Sequence, residues 1–505
     1  MRRREFLAVP GGLASTVGAV FARDAAIGDD VFFASIAELN KRLLAKEFSC
    51  VELTRAFCDR LERLGPRYNA LVLMLREPAV RLAKDADGDL KRERTRSPLQ
   101  GVPFGAKDLL SVEGRITAWG ARPYAAQVFD YTATVLKKLE KAQAPLIGKL
   151  AMVELAGGPT YSSPGASATG PGLNPWNRGY WSGGSSSGSG AAVAAGLVPF
   201  ALGSETSGSI LTPAAFCGIT GLRPTFGLVS RFGAMELSRS LDKIGPMCRT
   251  AEDCGIVLQA IAGGDSKDPF SAGKGFYFAP QFARPLSQLR VGYAPADFDV
   301  VAAESARPAL KSALAQFRDL GVQLVEIHLP ELPEAVPTLI RAEGSAAFRQ
   351  LIESGKVEEL ADRQQIDGLK EGLKVTAADY IKALDQQREV REAFSELFHN
   401  VDVILAPSRL SPANKANEAF PRGPAAPKPE PAGAPNRGTS GLIPASNVAG
   451  IPALSIPCGF VPTQGGDLPV GLQLVGRWFG ENTILLLGMA YQQRTDWHKR
   501  RPNIT

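Results

Sequence analysis

Gly183-Gly184-Ser185-Ser186-Ser187-Gly188-Ser189-Gly190 contains only glycine and serine, and Gly203-Ser-Glu-Thr-Ser-Gly-Ser-Ile210 follows close behind it. Glycines let backbone amides come near a reacting oxygen. Serine hydroxyls serve as nucleophiles and proton carriers. The connector Ala191-Ala-Val-Ala-Ala-Gly-Leu-Val-Pro-Phe200 is small and apolar. Two hydroxyl-rich loops on a tightly packing connector read as the floor of a catalytic site.

Outward from this floor, helical and strand patterns alternate. Ser35 with Glu38, and Ser49 with Glu52, fit capping boxes for two helices over 35–64. Leu71–Leu75 reads as a buried strand, Glu77–Asp87 as a helix and Val102–Leu110 as a strand edge. Thr132–Ala142 reads as a helix, and Ala144–Gly148 as the strand after it. Residues 334–400 carry several helix-like stretches, and Val401–Ala406, Ala453–Pro457 and Val470–Val475 read as late strands. Residues 411–441 are rich in Pro, Ala and Gly and read as an extended loop, over the surface or over a pocket. The pattern predicts an α/β fold, with one domain over 30–503.

The chain has 505 residues, 45% hydrophobic and 21% charged, with a net charge of +6. This is a globular composition. The basic runs Lys91–Arg94 and His498–Arg501 lack interleaved aromatics, so they read as solvated surface and no nucleic-acid partner is expected. The six cysteines form no Cys-x-x-Cys and read mostly as buried thiols; a Cys248–Cys254 bridge is the one pairing weighed. Met1-Arg-Arg-Arg-Glu-Phe-Leu7 precedes an apolar stretch to Ala22, which reads as a twin-arginine-type signal over residues 1–22. The expected location is then the periplasm, with the cytoplasm as the alternative. No stretch is long and apolar enough for a stable membrane span.

The chemistry narrows by exclusion. His328, His399 and His498 are the only histidines, none near the serine runs in sequence; His399 and His498 read as solvent-facing. Gly184–Gly188 satisfies Gly-x-Ser-x-Gly around Ser186, but a nucleophile elbow needs a buried strand before the serine, and Pro175–Ser182 reads as loop. No His-Glu-x-x-His, P-loop or dinucleotide fingerprint is present, so no metal and no cofactor is expected. Without histidine, a serine needs another base. A buried, neutral lysine can serve, and Lys107 in Gly101-Val-Pro-Phe-Gly-Ala-Lys107 is the candidate. By spacing alone it reads more readily as a surface lysine after a strand edge.

Taken together, these stretches resemble the amidase signature family. The resemblance rests on Gly101–Asp108, Asn174-Pro-Trp-Asn177, the two serine runs and Pro213–Gly218. It continues through Gly221–Gly227, Ser240–Pro246 and Gly471–Trp497. It implies a single large domain with a mixed sheet surrounded by helices. It also implies a catalytic group of Lys107 as base, Ser185 as bridging serine after a cis peptide, and Ser209 as nucleophile. Backbone N–H groups of Thr206, Ser207, Gly208 and Ser209 would form the oxyanion hole, commonly worth about 3–4 kcal/mol per donor. The implied function is hydrolysis of a small-molecule carboxylic amide through a Ser209 acyl-enzyme. The alternatives are an amidotransferase A-type subunit using glutamine, or a non-catalytic scaffold. A homodimer suits the family. Ser207 stands where the family usually has glycine, so it is expected to take up a glycine-like backbone shape.

Overall fold

The computed structural model describes residues 27–329, 333, 335–419 and 441–504. The signal reading over 1–22 and most of the 411–441 loop lie outside the described residues. Thirteen strands are formed among them. They are Leu71–Met74 (β1), Phe104–Lys107 (β2), Leu146–Leu150 (β3), Leu173–Asn174 (β4), Asn177–Trp181 (β5), Phe200–Glu205 (β6) and Thr220–Arg223 (β7). The rest are Lys243–Cys248 (β8), Arg290–Tyr293 (β9), Gln323–Glu326 (β10), Val403–Pro407 (β11), Ala453–Thr463 (β12) and Gly466–Gly476 (β13). Eleven of them make one mixed sheet in the order β1-β3-β2-β6-β8-β7-β12-β13-β11-β9-β10, and β4 pairs only with β5. Helices flank the sheet, giving a single large α/β domain.

The centre of the sheet is covered on both faces. All residues of β2, β6, β7 and β8 are buried, as expected of strands in such a layer. β2 runs parallel to β3 and β6, with Ala106 opposite Leu202. Phe104 and Phe200 stack across this pair with centroids 5.1 Å apart. The register brings the carboxyl ends of β2 and β6 to the same sheet edge, where α/β folds place their ligands.

The surrounding helices follow their local signals. Ser49 and Glu52 form a reciprocal capping box on Cys50–Leu64, whereas Ser35 only accepts from the Glu38 amide at the start of Ile36–Leu44. The helix Ser187–Ala194 is buried along its whole length, and only its small residues allow it that close to β6. Helices Ala335–Ala347, Arg363–Gly372 and Ala377–Asn400 lie in the 334–400 stretch. Buried Glu343 ties this section to the loop before β8, accepting from Ser238 Oγ, from Ser240 N at 3.2 Å and from Tyr380 OH at 2.8 Å.

Three readings change. Asn177–Trp181 is a strand, but it belongs to the two-stranded ribbon rather than the main sheet. His498 is half-buried rather than solvent-facing, and burial lowers its pKa to about 4. All six cysteines are buried free thiols, so Cys248 and Cys254 are not bridged.

Candidate active site

Lys107 ends β2 and is fully buried. Its Nζ donates to Ser185 Oγ at 2.7 Å, to Ser204 Oγ at 2.9 Å and to the Ser204 carbonyl at 3.5 Å. Burial brings its pKa down to about 7, against the opposing pull of Asp242 and Glu205. The next residue shows the contrast. Asp108 pairs with Lys149 at 2.9 Å, both fully buried. Among the described residues Lys107 has no such ion pair, and a buried lysine without a counter-charge gives up its proton readily.

The first serine run packs against this lysine. The Gly184–Ser185 peptide is cis. Val153 N donates to the Ser185 carbonyl at 3.0 Å and fixes the loop from outside. Gly183 has φ +85°, and a Cβ there would sit 2.7 Å from Pro213 Cα. Ser186 Oγ donates to the Ser204 carbonyl at 3.2 Å and accepts from Ser204 N at 3.3 Å. It therefore braces β6.

The second run is shaped by Glu205. One of its carboxylate oxygens accepts from Ile210 N at 2.8 Å and Leu211 N at 2.9 Å. The other takes Arg223 Nη1 at 2.9 Å and Asn447 Nδ2 at 2.7 Å. Burial alone would raise the Glu205 pKa, but Arg223 and these hydrogen bonds hold it below the usual carboxylate range. The turn between β6 and the helix Leu211–Cys217 is thus closed by its own carboxylate. The amides of Thr206, Ser207, Gly208 and Ser209 are left without an acceptor among the described residues. Open backbone N–H groups of this kind are what an oxyanion cradle draws on.

Ser207 does not take the glycine-like shape. The left-handed residue of the turn is Gly208, at φ +94°, so Ser207 is accommodated without that conformation. Ser209 is nearly buried, and its carbonyl accepts from Ser186 N at 3.2 Å, which joins the two runs. Among the described residues the Ser209 hydroxyl makes no hydrogen bond, so Lys107 and Ser185 are in contact while the Ser185–Ser209 step is not closed. Catalytic hydrogen bonds often tighten only with substrate bound.

Sequence reasoning missed the second partner of Lys107, Ser204, although it lies inside the second run. It also missed Asp242, which accepts from Thr206 Oγ1 at 2.6 Å, and Lys243, fully buried and donating to the Asn447 carbonyl at 3.3 Å. Ser204, Thr206, Arg231, Asp242 and Lys243 line one cleft. The histidines take no part: His399 and His328 are exposed, and the His498 carbonyl accepts from Arg249. Among the described residues no cluster of three His, Cys, Asp or Glu could hold a metal, and no helix is long and apolar enough to cross a membrane.

The Glu205 network carries a stability prediction. Glu205→Gln keeps the shape but leaves Arg223 charged and buried without its partner. The expected cost is about 3–5 kcal/mol. Urea unfolding should show a lower midpoint at unchanged slope; a loss below about 1 kcal/mol would mean that Arg223 is held by Ser446 and Ile451 alone.

The chain matches the Amidase family over residues 52–485. It is 38% identical over 498 residues to the A subunit of glutamyl-tRNA(Gln) amidotransferase of Dechloromonas aromatica, covering 93% of this chain and 99% of that one. Among solved structures it is similar to native peptide amidase from Stenotrophomonas maltophilia, with TM-score 0.77, 30% identity, and 93% and 98% of the two chains covered. It is also similar to the A subunit of glutamyl-tRNA(Gln) amidotransferase from Thermotoga maritima, with TM-score 0.75, 26% identity, and 95% and 99% covered.

Proposed function

The chain belongs to the amidase family, and from that premise we propose that it splits the C–N bond of a carboxamide through an acyl-enzyme on Ser209. Neutral Lys107 Nζ takes the proton of Ser185 Oγ, and Ser185 takes that of Ser209. Ser209 Oγ attacks the carbonyl carbon, and the oxyanion settles against the amides of Thr206 to Ser209. The proton returns along the same relay to the leaving nitrogen, which departs as amine or ammonia. Water then enters by the reverse path and frees the acid. The observation that carries this reading is Lys107 itself, fully buried, without a carboxylate partner among the described residues and 2.7 Å from Ser185 Oγ.

The second reading is an A-type amidotransferase subunit that takes ammonia from glutamine and passes it to a partner. Full-length similarity to such subunits favours it over a free-standing amidase. The two readings part on location as well. An export signal over residues 1–22 suits a free-standing amidase, whereas tRNA charging is cytoplasmic.

The test is fluorophosphonate labelling of the full chain with peptide mapping, followed by ammonia release from glutamine and from simple amides. The expected adduct is on the peptide holding Ser209. An adduct on Gly183–Gly190 would instead assign the nucleophile to Ser186, and none in folded protein would favour a scaffold. Glutamine turnover that appears only with co-purifying partner subunits would establish the second reading.

A further inference from the structure

We infer that Lys243 is a second nucleophile of this molecule, an amine in the cleft beside the serine runs that condenses with small aldehydes bearing an apolar tail. Lys243 opens β8 and stands directly opposite Glu205 in the antiparallel β6–β8 ladder. Side chains so opposed share one face of the sheet. Lys243 lines the cleft together with Ser204, which accepts from Lys107, and Thr206, the first residue of the oxyanion turn.

Both carboxylates near it are already occupied. Glu205 accepts from Ile210 N, Leu211 N, Arg223 and Asn447. Asp242 accepts from Thr206 Oγ1 at 2.6 Å, Leu237 N at 2.8 Å and Ser238 N at 2.9 Å. Among the described residues Lys243 has no carboxylate within ion-pair distance, and its one hydrogen bond goes to the Asn447 carbonyl at 3.3 Å. An ammonium has three N–H donors to satisfy. Other inward lysines are better provided for. Lys149 has Asp108 and the Thr117 hydroxyl, and half-buried Lys138 has the carbonyls of Ile261, Ala262 and Gly263. Burial, helped by the Arg223 and Arg231 guanidiniums, holds Lys243 well below the ordinary lysine range against the pull of Glu205 and Asp242. A neutral amine gives one N–H to Asn447 and keeps a lone pair for an electrophile.

The lining selects that electrophile. Leu109, Met235, Leu237 and Ile244 give the cleft apolar walls, and its cation Arg231 is already paired with Asp268. Such walls suit a short hydrocarbon tail, and an aldehyde carbon is what a neutral amine attacks. Nζ bonds to the carbonyl carbon while one amine proton passes to the carbonyl oxygen. The hydroxyl so formed then leaves with the second amine proton as water, and a C=N bond joins Lys243 to the aldehyde carbon. The step needs no oxidant or reductant. It uses neither Ser185 nor Ser209, so it stands apart from the amide reading.

The probe is butanal with sodium cyanoborohydride, applied to the full chain at pH 7 and followed by peptide mapping. The hydride fixes an imine as a secondary amine and leaves a hemiacetal on serine unfixed. An exposed lysine is neutral to less than about 0.1% at pH 7. The adduct at Lys243 should therefore form at least about tenfold faster than at exposed Lys41 and Lys46. That ratio should fall by about tenfold per unit from pH 7 to 9, as the exposed lysines become neutral. A ratio below about tenfold at pH 7, or one independent of pH, would overturn the assignment. The comparison is repeated on Ser209→Ala protein, where the Lys243 adduct should be unchanged. Its loss there would make the reaction a property of the serine site and overturn the assignment as well. Failure of the hydrolytic reading shows separately, as absence of fluorophosphonate adduct at Ser209.

Discussion

Ser209→Ala should abolish amide turnover, by at least about 10⁴-fold, in a protein that melts where the wild type does. The two halves have separate causes. Activity goes because the proposed mechanism gives the carbonyl carbon no other attacking atom. Ser185 is engaged with Lys107, and Ser186 is engaged at both ends with Ser204. What remains is the residual catalysis of an intact oxyanion cradle and positioned substrate. Stability stays because the Ser209 hydroxyl makes no hydrogen bond among the described residues, so alanine leaves no buried partner unsatisfied there. The comparison variant is Ser185→Ala, which removes a hydrogen bond from a buried lysine and should lose both activity and stability. Ammonia release and thermal unfolding on both variants give the check. Turnover of Ser209→Ala within about tenfold of wild type would remove Ser209 as nucleophile.

The sequence carried more of the fold than of the site's support. Caps and apolar spacing located Cys50–Leu64, and short apolar runs located β1, β3 and β11, because those signals are local. The hairpin β12–β13 read much too short. Its apolar runs stop near Pro457 and begin again near Val470, while the ladder continues from Gly459 opposite Val470 to Thr463 opposite Gly466. Backbone pairing there holds polar and proline-bearing residues that carry no strand pattern. The ribbon strand Asn177–Trp181 read as loop for a similar reason, since Asn177, Arg178 and Gly179 are partly or fully exposed.

At the site, motifs nominated Lys107, Ser185 and Ser209, of which the structure brings Lys107 and Ser185 into contact, and the family assignment stands on the full-length match. Their surroundings were not legible. Asn447 reaches Glu205 across 242 residues, and Arg223 reaches Ser446 across 223. No periodicity or spacing encodes contacts of that range. The burial of Lys107 was open for the same reason. A surface lysine and a buried one have the same local sequence, and only the parallel register of β2 with β6 decides between them.

Lys107→Met should remove activity as fully as Ser209→Ala while changing stability in a way that depends on pH. A buried lysine whose pKa falls from 10.5 to about 7 penalises the folded state. The sign follows from proton counts. Between about pH 7 and 10 the unfolded chain holds the lysine proton and the folded chain does not, so wild-type stability rises with pH by about 1.4 kcal/mol per unit. Below the folded pKa both states are protonated, and the penalty is present in full at about 5 kcal/mol. Methionine fills a similar volume without charge, but it leaves Ser185 Oγ and Ser204 Oγ each short of a donor, at about 1 kcal/mol apiece. The variant should therefore be more stable than wild type at pH 6, and its advantage should shrink steadily as pH rises toward 10. Urea unfolding of both proteins across this range measures the difference directly. In the wild type, kcat/KM should rise about tenfold per pH unit below 7 and level off above it, as Lys107 becomes neutral. A stability difference independent of pH, or a kcat/KM flat from pH 5 to 8, would mean that Lys107 stays charged and is not the base.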